Sequence, residues 1–103
     1  MTHEIQERVV SFAERHGLDA DPAYRILDLS AEVGEVAADA AKSTDYGAEP
    51  DALEVNGDEI GDALFSLLLV ADAVDVDAAA ALDEALEKYE RRVEETGSAG
   101  SAD

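Results

Sequence analysis

Two pairs of acids carry the spacing that could do chemistry. Glu32 and Glu35 form one pair and Glu59 and Asp62 the other, each at i, i+3. On a helix that spacing puts both carboxylates of a pair on one face. Two such helices packed antiparallel could bring all four groups together. At about 4 Å, with an effective dielectric of about 20, each pair of charges repels by roughly 4 kcal/mol. Such a cluster needs a cation. Oxygen-only ligands suit Mg²⁺ or Mn²⁺, hard ions that keep water and take phosphate oxygens as further ligands. The chain has no Cys, and neither His3 nor His16 is near either pair in the sequence, so zinc is a poor match.

The two pairs sit in different surroundings. Asp28 and Asp39 share the stripe of Glu32 and Glu35, so this pair can equally be a solvated helix flank. Glu59 and Asp62 stand at the mouth of nine uncharged residues, Ala63 to Ala71. Their stripe runs through Ser66 into Leu69 and Val70, where an uncompensated charge is costly.

A third cluster has the opposite sign. Three of the seven basic residues fall in "KYERR", namely Lys88, Arg91 and Arg92. They either complement the dipole at a helix C-terminus or capture an anion such as phosphate.

The elements that must position these groups are helical. Ile5, Val9, Phe12, Ala13 and His16 give a first amphipathic helix from about His3 to His16, capped by Thr2 and ended by Gly17. Asp21-Pro22 opens a second, reaching about Lys42, with Ile26, Leu29, Val33, Ala37 and Ala40 as its expected buried stripe. STDYGAEPD is loop by composition. A third helix is expected from about Ala52 to Asp72, its core face Leu53, Ile60, Leu64, Leu67 and Ala71. Phe65, Leu68, Leu69 and Val70 wrap its far side, and apolar residues on all sides suggest a second subunit. Asp75 or Asp77 caps a fourth helix to about Thr96, carrying Leu82, Leu86, Tyr89 and Val93. No alternating β pattern occurs. The expectation is an all-α, four-helix bundle-like unit assembling as an oligomer, over residues 1–96, with a flexible C-terminal tail over 97–103. Phe12 and Phe65 read as core, His3 and His16 as surface or packing residues. Tyr24, Tyr46 and Tyr89 read as packing or rim residues that could also stack on a base.

Length and composition bound the rest. A chain of 103 residues is one domain. Twenty-six acids against seven Lys plus Arg give a net charge of −19, which disfavours nucleic acid and anionic membranes as partners. With 47% hydrophobic residues in periodic order, the chain is not expected to be disordered. The acid excess fits a protein adapted to high salt, where the Debye length falls to about 3 Å at 1 M. The longest uncharged run is far below the roughly 20 residues of a membrane span. MTHEIQERVV lacks a signal-peptide pattern, so a cytoplasmic location is expected.

Taken in order, "LSAEVGEVAADAAK", "DEIGDALFSLLLVADAVDVD" and "ALEKYERRVEE" resemble the MazG-type nucleoside triphosphate pyrophosphohydrolases of the all-α NTP pyrophosphatase superfamily. The resemblance runs from about Tyr24 to Glu95. It implies a four-helix catalytic unit, dimeric or tetrameric, that cleaves an NTP or dNTP to the monophosphate and pyrophosphate with Mg²⁺. It implies Glu32, Glu35, Glu59 and Asp62 as metal ligands, with Glu32 or Glu35 acting on the attacking water. Lys88, Arg91 and Arg92 match the family's phosphate-associated basic stretch. Ala31 stands where the family often has Glu, and Leu86 where it commonly has Asn. Two other readings remain open: a phosphoribosyl-ATP pyrophosphatase-like enzyme, and a non-catalytic acidic helical interaction protein.

Overall fold

A computed structural model describes residues 4–98 and Gly100. Its helices are α1 (Glu4–Arg15), α2 (Pro22–Ser43), α3 (Gly57–Ala73) and α4 (Ala78–Thr96), with a short 3₁₀ turn at Pro50–Ala52. Thr2, His3 and most of the 97–103 tail lie outside the described residues. Among the described residues there is no strand, and no helix is long and apolar enough to cross a membrane.

Local signals explain most boundaries. Gly17 takes the left-handed conformation, φ 64°, just after α1. Pro22 starts α2, although the Asp21 side chain makes no capping hydrogen bond. Of the two candidate caps for α4, Asp77 does the work: its Oδ1 accepts from Ala79 N and Ala80 N. Asp75 instead sits at φ 59° in the preceding turn. The third helix starts five residues later than its apolar pattern suggests. Asn56 is the reason, because its side chain accepts the Asp58 amide at 3.0 Å and fixes the first turn there. Leu53 is left outside the helix and exposed.

Packing departs from the expected bundle. α2 lies along α3, α1 crosses α3, and α4 packs along none of the other helices. The radius of gyration is 16.5 Å, against about 13 Å for a compact chain of this length. Among the described residues, the buried apolar ones are Ala13, Leu68, Leu69 and Ala71. The face of α3 read as core is largely inverted: Ile60, Leu64 and Leu67 are exposed, while Leu68 and Leu69 face its neighbours. The α2 stripe is displaced in the same way. Ile26, Val33 and Ala37 point outward, and the half-buried positions include Leu29, Glu32, Val36, Asp39 and Ala40. Phe12, expected in the core, is 42% exposed and meets Phe65 edge to face at 6.0 Å. One polar clamp ties α1 to the α3–α4 connection: Gln6 Nε2 donates to Val76 O at 2.9 Å, and its Oε1 accepts from Ala78 N at 2.8 Å.

With so little buried surface and a charge of −19, stability must depend on screening. The thermal midpoint is expected to rise by about 10 °C between 0.1 M and 2 M KCl, the shift that roughly 2 kcal/mol gives in a domain of this size. Circular dichroism melts across that range check it; a flat midpoint would contradict it.

Candidate functional site

The α2–α3 pair is antiparallel, and its register is fixed at one end by side chain to backbone bonds. Ser43 Oγ donates to Asp39 O and accepts from Glu54 N at 2.9 Å. Asp39 Oδ2 accepts from Asn56 N at 3.2 Å. From that anchor the helices run past each other one turn at a time. Glu35 reaches Glu59, and the charges of Asp62 and Asp28 act on Glu32. The α2 acid stripe therefore borders α3, with Glu32 and Asp39 half-buried and Asp28 and Glu35 exposed. Glu32, Glu35, Glu59 and Asp62 are brought together within one chain.

The electrostatics show what that convergence does. Glu59 is pushed up from 4.5 to about 7, first by its side-chain hydrogen bond with Glu35, then by desolvation, then by the charges of Asp39, Glu35 and Asp62. Glu32 is raised as well, first by desolvation and then by Glu35, Asp62 and Asp28. Every cause acting on these two groups disfavours their charged form. As the side chains stand, no three His, Asp or Glu among the described residues have an arrangement that would hold a metal ion. Glu59 and Glu35 share a hydrogen bond instead.

A sign follows for pH. A carboxyl raised in the folded state favours folding fully below its unfolded value near 4.5, and that contribution is lost as pH rises through about 7. The metal-free protein is expected to melt at lower temperature at pH 7.5 than at pH 5, and Glu59→Gln to flatten part of that slope. Melts of both proteins at matched ionic strength decide this; parallel slopes would count against it.

The basic cluster is not brought to the acids within the chain. Lys88 and Arg92 flank the Tyr89 ring, at 5.1 and 5.9 Å from its centroid. Lys88 and Arg91 line a shallow surface with Glu84 and Glu87. All of this is on α4, which does not pack along α2 or α3. A groove of about 830 Å³ between α1 and α3 includes none of the four paired carboxylates. His16 stacks against Phe12 at 4.5 Å, a packing role, and His3 lies outside the described residues. Tyr24 and Tyr46 are exposed and away from the core. Sequence reasoning placed Asp39 on the right stripe but missed its work. It anchors the start of α3 and adds charge beside Glu59. The available signal was its position four residues beyond Glu35.

The described residues are all-helical outside their turns, and the central helix pair juxtaposes two i, i+3 carboxylate pairs. A family model of the MazG nucleotide pyrophosphohydrolase domain matches residues 22–96. The chain belongs to that family of nucleotide pyrophosphohydrolases. The matched segment holds both acidic pairs and the basic cluster, and begins after α1. Comparison with curated proteins and with solved structures gives no match.

Proposed function

We propose that the protein is a Mg²⁺-dependent nucleotide pyrophosphohydrolase, with Mn²⁺ as a possible substitute, cleaving an NTP or dNTP to the nucleoside monophosphate and pyrophosphate. The carrying observation is the α2–α3 register that sets Glu32 and Glu35 against Glu59 and Asp62. The donor set suits the ion: it is oxygen-only and acidic, with Glu59 raised to about 7 first by its hydrogen bond with Glu35, then by desolvation and the neighbouring charges. Glu32, Glu35, Glu59 and Asp62 would hold it. When bound, the ion neutralises phosphate oxygens and lowers the pKa of its water.

The chain's own groups supply the rest. A carboxylate of the first pair, Glu32 or Glu35, orients the attacking water and takes its proton as the water oxygen bonds to the α-phosphorus. The α–β bridging bond breaks and pyrophosphate leaves. Lys88, Arg91 and Arg92 bind the departing phosphates and offset their growing charge.

These cations lie on a helix that packs along none of the others among the described residues, and we take the working unit to be a homodimer or homotetramer. The exposed Leu82, Leu86, Tyr89 and Val93 of α4 and the outward Ile26, Val33, Ile60, Leu64 and Leu67 support that reading. So many exposed large apolar side chains in one small chain favour association.

The test is pyrophosphate release from a panel of ribo- and deoxynucleotides, phosphoribosyl-ATP included, with Mg²⁺ in high salt and with chelator as control. Monophosphate and pyrophosphate in equal amounts are expected. A folded protein that turns over none of the panel would overturn the proposal.

A further inference from the structure

The groove of about 830 Å³ between α1 and α3 takes no part in the phosphate chemistry. Ile5, Val9 and Phe12 line it from α1, and Leu64, Phe65 and Leu68 from α3. Ile5, Phe12 and Leu64 are exposed, although each belongs to an apolar stripe. The α1 rim stands out on so acidic a chain: Arg8 and Arg15, two of the seven Lys plus Arg, lie there. Their spacing is two helical turns, so the two guanidinium groups share one edge about 10 Å apart. Arg15 sits over the Phe12 ring, 5.8 Å from its centroid, which keeps its charge at the apolar wall. The acids of the lining, Glu4 and Glu7, belong to the first turn of α1, where the helix dipole favours them.

Helix α4 has the complementary form. Its apolar stripe from Leu82 to Val93 is about 17 Å long at 1.5 Å per residue, as is the α1 wall from Glu4 to Arg15. By helical periodicity the two flanks of that stripe differ in sign. Asp83, Glu87, Glu90 and Glu94 recur along one flank, and Lys88 and Arg92 along the other, beside the Tyr89 ring. Asp83 and Glu90 repeat the two-turn spacing of Arg8 and Arg15. The acidic row and the basic rim are thus complementary in charge and in period. The chain's own α4 does not fill the groove. Its first turn is held by Gln6, which with Val10 and Asp77 borders another face of α1, and it packs along none of the other helices.

We propose that two copies exchange helices: α4 of each lies in the α1–α3 groove of the other, with Asp83 and Glu90 against Arg8 and Arg15. The proposal rests on the reading that the working unit is an oligomer, and adds the surface that receives α4. A reciprocal contact of this kind closes about a two-fold axis. With the acidic flank on the α1 rim, the basic flank turns towards α3, the helix that carries Glu59 and Asp62. Lys88 and Arg92 of each chain then serve the carboxylates of the other.

Sedimentation of the full chain tests this at the lowest KCl that keeps the parent folded, since high salt screens the pairs. Arg8→Glu with Arg15→Glu, and separately Asp83→Arg with Glu90→Arg, are each expected to give single chains. Across both grooves the dissociation constant should rise about 100-fold or more. Mixed in equal amounts, the two variants are expected to regain the parent's mass. The reversed rim of one then meets the reversed row of the other, and the second groove keeps its native pairs. Arg8→Gln with Arg15→Gln, the milder change should circular dichroism show the reversed chains unfolded, is expected to weaken association about 10-fold. Unchanged association in these variants, or folded reversed chains that stay single when mixed, would overturn the exchange without touching the pyrophosphohydrolase reading. A parent that sediments as a single chain would overturn it together with the oligomeric reading. Pyrophosphate release is expected to return with the mass; pairing restored in a protein without turnover would sustain the exchange and sink the enzymatic reading.

Discussion

Glu59→Gln is expected to abolish pyrophosphate release while raising the melting temperature of the metal-free protein. The two effects have one origin. Glu59 is the member of the cluster most displaced from ordinary behaviour, held up to about 7 by its hydrogen bond with Glu35 and by neighbouring acids. A glutamine keeps an oxygen and an N–H for Glu35 and removes the charge that the cluster resists. Folding gains above the pH at which Glu59 would ionise, and the opposite happens to function. Losing a partner that merely orients a metal ligand typically costs 10–100-fold in affinity or activity. Losing a ligand carboxylate should cost at least about 100-fold, with the Mg²⁺-induced thermal shift lost as well. Activity assays and melts with and without Mg²⁺ read both. A variant that is inactive and less stable would point to misfolding; one that keeps its activity would remove Glu59 from the site. Gains in stability at the expense of function are the known signature of a working site.

Leu86→Glu is expected to yield single chains and to lose turnover. Leu82, Leu86, Tyr89 and Val93 recur on one face of α4, and each is 41–57% exposed with no helix of the chain packed along it. Covering what remains exposed is worth roughly 1 kcal/mol per residue, about half the value for burying a whole side chain. An unpaired charge at the centre of that contact costs about 3–5 kcal/mol, so association weakens by more than about 100-fold. Sedimentation of parent and variant at one concentration and high salt gives the comparison. Equal masses would show that this face is not the contact. Because Lys88, Arg91 and Arg92 ride on the same helix, KM for the nucleotide should rise together with the loss of mass.

Element types were legible because caps and breakers are local. Pro22, Gly17 and Asp77 act within one turn of themselves, and helices start or stop where they stand. Asn56 is equally local, and its cap starts α3 at Gly57, past Leu53 where the apolar rhythm begins. Which helix face turns inward is a different kind of question. Ile26, Val33, Ile60 and Leu64 have the period of a core and are exposed in the single chain. A stripe of this kind says that a surface will be covered, without saying by which chain. The acids were legible for the converse reason. Glu59 and Asp62 at the entrance to an uncharged run conflict with the hydrophobic pattern, and such local conflicts collect at working sites. Asp39 was obscured because 26 acids make any one of them weak testimony.

The Gln6 amide that bonds both Val76 O and Ala78 N belongs to α1, which precedes the matched segment of residues 22–96. The angle at which α4 leaves the rest of the chain is thus steered by a side chain some 70 residues upstream. The opening helix works as a strut for the closing one, and trimming the chain to its family-matched length would free the arm that carries the cations.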